Sequence, residues 1–189
     1  MIKVEAPFTL EYLLSRYRGK RESIRDIYRQ MFAEAHRLVV PRSIHQSFIA
    51  TELPTFAAHL PGAETITLGL CTIGPTLEQR SSALFNEDPA AAVILDEVGT
   101  LWVNGLAREL HDAIRAAAKA ARQQASPSYR PGIGRWPVEF QSELLSLLPA
   151  DELGIRLSHG MMIPQKSVSM IVGVGRRLEK NFLSTGSTK

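Results

Sequence analysis

Ser167-Val168-Ser169-Met170-Ile171-Val172-Gly173-Val174 alternates strictly. Val168, Met170, Val172 and Val174 share one face, the period of two that marks a β-strand. A second stretch reads the same way: in Glu64-Thr65-Ile66-Thr67-Leu68-Gly69-Leu70-Cys71, Ile66, Leu68 and Leu70 alternate with Thr65, Thr67 and Gly69. This predicts a half-buried strand. Gly154-Ile155-Arg156-Leu157-Ser158 and Met161-Met162-Ile163-Pro164 are further extended pieces, separated by the turn signal His159-Gly160. Ser43 to Ile49 has weaker strand character. The strands cluster late in the chain instead of alternating with helices. That order predicts an α+β fold with a largely antiparallel sheet.

The helices read outward from this frame. Thr9 is placed to cap a short helix carrying Leu10, Leu13 and Leu14 to about Arg18, with Gly19 breaking it. Ile24, Ile27, Tyr28, Met31 and Leu38 recur at helical spacing and predict a helix over residues 22–38. Residues 1–40 are therefore an N-terminal helical region, either an appendage or the outer layer of the main domain at 41–183. Residues 52–60 suggest a short helix. Pro75 suits a first helical turn, continued by Leu77, Leu84 and Phe85. After the turn Asn86-Glu87-Asp88-Pro89, residues 90–124 carry the longest pattern, with Val93, Ile94, Val98, Leu101, Trp102, Leu106, Leu110 and Ile114 recurring. Gly99 and Gly105 inside it each cost about 1 kcal/mol relative to Ala. Close packing against the helix at those points is expected. A further helix starts at Pro137, uses Val138, Gln141, Leu144, Leu145 and Leu148, and stops at Pro149. Residues 184–189 read as a frayed tail.

At 189 residues, 44% hydrophobic and 22% charged, the composition is that of an ordinary globular chain. Net charge is +3 and the sequence pI about 9.2. The basic residues form no aromatic-studded patch, so nucleic acid is not an expected partner. The single cysteine, Cys71, has no disulfide partner within the chain. No window of about 18 apolar residues predicts a membrane span, and no signal pattern opens the chain. The expected location is the cytoplasm.

Familiar catalytic motifs are missing. There is no zinc spacing, no H-E-x-x-H, no G-x-S-x-G and no Walker A. Gly173-Val174-Gly175 lacks the third glycine of a dinucleotide loop. His36, His45, His59, His111 and His159 are dispersed. A module that takes its chemistry from a cofactor fits better than one with its own nucleophile.

The candidate site is Tyr129-Arg130-Pro131-Gly132-Ile133-Gly134-Arg135-Trp136-Pro137, between the longest helix and the next. Its two prolines fix φ and its two glycines permit positive φ and close ligand approach. Thr72-Ile73-Gly74-Pro75 is a strand-to-helix turn that either presents amides to an anion or is a plain connection.

Three blocks, in this order and spacing, resemble the activation (reactivation) domain of vitamin B12-dependent methionine synthase in its stand-alone short form. They are Leu70-Cys71-Thr72-Ile73-Gly74-Pro75 with Ala92 to Gly99, then Arg130 to Pro137 with Gln141 and Leu144-Leu145, then Gly154 to Ser158 with Met161 to Ser169. Together they cover roughly residues 60–175. The resemblance implies a twisted antiparallel sheet and the binding of S-adenosylmethionine beside a cobalamin held by a partner. It also implies partners: a corrinoid-binding protein or methionine synthase core, and an electron-transfer protein such as flavodoxin or ferredoxin. The cofactor-binding residues it implies are Arg130, Pro131, Gly132, Ile133, Gly134, Arg135, Met162 and Ser167. Pro131-Gly132 match the family's Pro-Gly. Ile133 stands where the family has tyrosine, and Ser128 where it has an arginine, with Arg130 or Arg135 as substitutes. These departures motivate an alternative, a non-catalytic protein that binds or senses a corrinoid or another small molecule. Trp136 is expected in the core, Lys166 as an exposed loop lysine, and Glu109 and Asp112 on a solvated helix face.

Overall fold

A computed structural model describes residues 6–16 and 22–179. The expectations for the break at Gly19 and for the tail at 184–189 fall outside the described residues. The elements in chain order are α1 (Leu10–Ser15), α2 (Glu22–Leu38), β1 (Arg42–Ile49), α3 (Pro54–Ala57), β2 (Thr65–Thr72), α4 (Thr76–Leu84), α5 (Pro89–Ala120), β3 (Gln124–Ala125), α6 (Phe140–Leu147), β4 (Arg156–Ser158), β5 (Met161–Ile163) and β6 (Ser167–Gly175). The fold is α+β, as the strand order implied.

β6 is buried along its whole length. It pairs antiparallel with β2, from Thr65 opposite Val174 to Thr72 opposite Ser167. β1 adds to the other side of β2 and β3 to the far edge of β6, giving the order β1-β2-β6-β3. β4 and β5 form a separate hairpin. Its turn residues His159 and Gly160 have φ of 52° and 79°, the left-handed pair that two-residue hairpins favour.

The sheet is covered on both faces. Val168, Met170, Val172 and Val174 pack with Cys71 against α5, together with Leu13 of α1, Tyr28, Met31 and Ala35 of α2, and Leu77 and Leu84 of α4. Ile66, Leu68, Leu70 and Ile171 face the other way, onto Phe56 of α3, Trp136, and Phe140 and Leu144 of α6. The threonines of β2 made it look half-buried, and this is corrected. Thr67 is 2% exposed because its hydroxyl pairs with that of Ser47 at 2.8 Å, which removes the cost of hiding it. The N-terminal helices contribute directly to the first core.

α5 organises the molecule. Its 32 residues span about 48 Å at 1.5 Å per residue. Asp88 caps it by accepting from the amides of Ala90 and Ala91. Both helix glycines sit at close contacts, as expected: a Cβ at Gly99 would lie 2.5 Å from Leu77 Cδ2, and one at Gly105 would collide with the ring of Pro7. Val93, read as a core position, is 59% exposed instead. By length and composition α5 can cross a membrane, which corrects the expectation that no such segment exists; here its apolar face is taken up by the sheet and by α2. α6 is shorter than predicted. It begins at Phe140, and Val138 is 52% exposed, because the chain turns through Pro137 before the helix starts. The helix expected over residues 52–60 reduces to α3.

Candidate functional site

The approach to the loop is a sheet edge. Beyond β3, Ser126 donates its amide to Gly173 O and accepts from the Gly173 amide through its hydroxyl. Tyr129 and Ile171 exchange amide–carbonyl bonds at 2.9 and 2.8 Å. A ring nitrogen of His111 on α5 lies 2.9 Å from Ser126 O. The segment leading to Arg130 is thus fastened to both β6 and α5.

After Tyr129 the chain leaves the sheet and closes on itself. Ile133 N donates to Arg130 O, Gly132 N to Trp136 O and Trp136 N to Ile133 O. Gly132 and Gly134 take φ of 80° and 63°. A Cβ at Gly134 would meet nothing within 4 Å, so this glycine serves the backbone turn alone.

A depression of about 350 Å³ opens beside the loop, lined by Ser128, Tyr129, Arg130, Ile133 and Trp136. Its aromatic wall is a built stack. Tyr129 and Trp136 rings lie 5.1 Å apart at 26°, and Trp136 also contacts His59 at 5.1 Å and Phe140 at 5.8 Å. Trp136 is 6% exposed and belongs to the core, as its sequence reading favoured. Ile133 is 61% exposed. Burial raises the Tyr129 phenol above its ordinary pKa.

The cation of the site is Arg130. One of its terminal nitrogens donates to Asn104 Oδ1 on α5 at 3.0 Å. Burial pushes its pKa below the ordinary arginine value. Asn104 escaped the sequence reading. The signal was there: it is the single polar side chain in the run Leu101-Trp102-Val103-Asn104-Gly105-Leu106.

Of the residues expected at the site, Arg130 and Ile133 line the depression. Pro131, Gly132, Gly134 and Arg135 shape the loop beside it without lining it. Met162 and Ser167 stand apart. Met162 in β5 packs against the second core. Ser167 is buried and donates its hydroxyl to Thr72 Oγ1 at 3.0 Å. In the strand-to-helix turn two of the amides are already engaged: Ile73 N donates to Lys166 O and Gly74 N to Thr72 Oγ1. Lys166 is not an exposed loop lysine. Its side chain is 11% exposed, and its ammonium bonds Asp96 Oδ1 at 2.8 Å and Thr100 Oγ1 at 2.9 Å. Glu109 and Asp112 lie on the solvated face of α5, with Asp112 paired to Arg115.

No family model matches this chain, and no curated protein matches it significantly.

Proposed function

We propose that the chain is an S-adenosylmethionine-binding activation module that serves reductive methylation of a cobalamin-carrying protein, methionine synthase or a related corrinoid methyltransferase, in the cytoplasm. One observation carries the reading: a half-buried guanidinium with no acidic partner among the described residues lines a depression walled by aromatic rings. The donor set fits the ligand in part. Arg130 offers unused N–H donors to its carboxylate, and the Ser128 hydroxyl lies in the same wall. Trp136, enclosed by Tyr129 and His59, contributes packing more than a free stacking face.

A corrinoid held by the partner, once reduced by a flavodoxin- or ferredoxin-like protein, would supply the nucleophile for the methyl group, with S-adenosylhomocysteine as the leaving group. The residues of this chain bind and orient. Arg130 fixes the acidic end of the ligand, the rigid Pro131–Gly134 turn limits its approach, and the core behind Trp136 excludes water. No side chain here is assigned a proton transfer. The test is transfer of labelled methyl from S-adenosylmethionine to a corrinoid protein under low-potential reduction. Label on cobalt that depends on this chain supports the proposal; equal labelling without it rejects the proposal.

A second reading rests on a separate observation. Ile133 and Met161 are large apolar side chains that are 61% and 65% exposed. Ile133 stands at the mouth of the depression, where an exposed apolar side chain suits a non-catalytic corrinoid or small-molecule binder. A cobalamin-induced spectral change without any S-adenosylmethionine binding favours that alternative.

A further inference from the structure

One face of α5 carries a continuous polar seam. Asp96, Thr100 and Asn104 are spaced four apart, so they stack on neighbouring turns. Lys166 donates to Asp96 Oδ1 and Thr100 Oγ1. Thr100 Oγ1 donates to Asp96 O at 3.1 Å. Asn104 Nδ2 donates to Thr100 O at 2.8 Å, and its Oδ1 accepts from Arg130. The seam therefore joins the loop before β6 to the loop of the depression through one helix.

Its two cations are treated differently. Lys166 is neutralised by Asp96. Arg130 is held by a neutral amide, and no carboxylate among the described residues pairs with it. Asp96 is engaged by Lys166, Glu97 accepts from Tyr28, and Asp112 accepts from Arg115. The amide has one workable orientation, since turning it over would set its NH₂ against the guanidinium and its oxygen against Thr100 O. An aspartate here would reach Arg130 equally well and cancel its charge.

We propose that Asn104 is a positioning residue of this depression: it aims Arg130 without neutralising it, so that the cation remains available to an acidic group, carboxylate or phosphate, on the bound ligand. Burial disfavours the charged guanidinium, and a ligand anion relieves that cost. The ligand class rests on the reading given under the proposed function; the role of Asn104 does not.

The experiment compares the parent chain, Asn104→Asp and Asn104→Ala. Calorimetry uses two nucleosides, S-adenosylmethionine and methylthioadenosine, which lacks the carboxylate. Asn104→Asp is expected to weaken S-adenosylmethionine by about tenfold or more, the scale of a lost charge-assisted bond, and methylthioadenosine by less than about twofold. Asn104→Ala keeps the cation and is expected to lose less. If Asn104 merely braces the loop, the order reverses, because Asp keeps the hydrogen bond and Ala does not; that order, or equal losses for both nucleosides, overturns the inference. The Arg130 Nε–Hε resonance titrated with inorganic phosphate at constant ionic strength supplies a reading independent of either nucleoside. A shift in the parent that Asn104→Asp abolishes supports the role even where neither nucleoside binds, an outcome that rejects the activation-module reading alone. No shift in the parent, or the same shift in Asn104→Asp, overturns the role.

Discussion

Cys71 has no exposed surface and lies where β2 meets α5; burial pushes its thiol up to about 12. The thiolate is the reactive form. The native chain is therefore expected to resist a thiol reagent at neutral pH, and to take up one equivalent once unfolded in denaturant, followed by absorbance. Rapid labelling of the native chain contradicts the packing described. Glu97 is a second residue with a readable charge state. It accepts from the Tyr28 hydroxyl at 2.9 Å, and burial raises its pKa, with Arg16 opposing. The native state thus keeps this proton to higher pH than the unfolded state. The stability it contributes is complete below the unfolded value and is lost as pH rises through the folded one. Glu97→Gln keeps an acceptor for Tyr28 and removes the titration. Denaturation midpoints should accordingly shift in favour of the variant between acid and neutral pH. At this scale the sequence displayed Arg130 plainly, because its loop is dense in Pro and Gly. It hid Asn104, whose hydrogen bond to Arg130 joins residues 26 apart in the chain.

The elements were legible where a single period dominates. Glu22–Leu38 follows from its apolar stripe, and α5 from its repeat of threes and fours. β1 read weakly for a physical reason: it is an edge strand, largely exposed, so little alternation is imposed on it. α6 was given too early a start because Pro137 and Val138 mimic a first turn. The glycines of α5 allow a graded test. Alanine in a helix gains about 1 kcal/mol over glycine, whereas overpacking a filled core costs about 1–3 kcal/mol. Leu77, against Gly99, is fully buried and has nowhere to move. Gly99→Ala is expected to destabilise by about 1 kcal/mol in chemical denaturation, the balance of those two effects. Gly105→Ala should cost at least as much, because the Pro7 ring it would strike is rigid and Phe8 beside it is packed edge-on to Phe32 and Trp102.

For the whole molecule, the sheet separates two cores, and α5 links the first core to the loop that borders the second. The N-terminal helices complete the first core, with Met31 2% exposed against it. Met31→Ala is expected to cost about 2–5 kcal/mol, the range for a large-to-small change in a core, in a single cooperative transition. A separate, earlier transition assigned to α1 and α2 contradicts one shared core. Sequence reading left the rank of residues 1–40 open, because an amphipathic helix shows that it packs but not on what. The proposed function falls at the loop bordering the second core, where the depression holds a cation that no carboxylate among the described residues neutralises. The most direct test is calorimetric titration of the intact chain with S-adenosylmethionine, alone and with a corrinoid protein, beside Arg130→Gln. The account predicts saturable binding that weakens by about tenfold in the variant, as expected for loss of a charge-assisted pair. No heat at millimolar ligand under either condition, or equal affinity in Arg130→Gln, contradicts it.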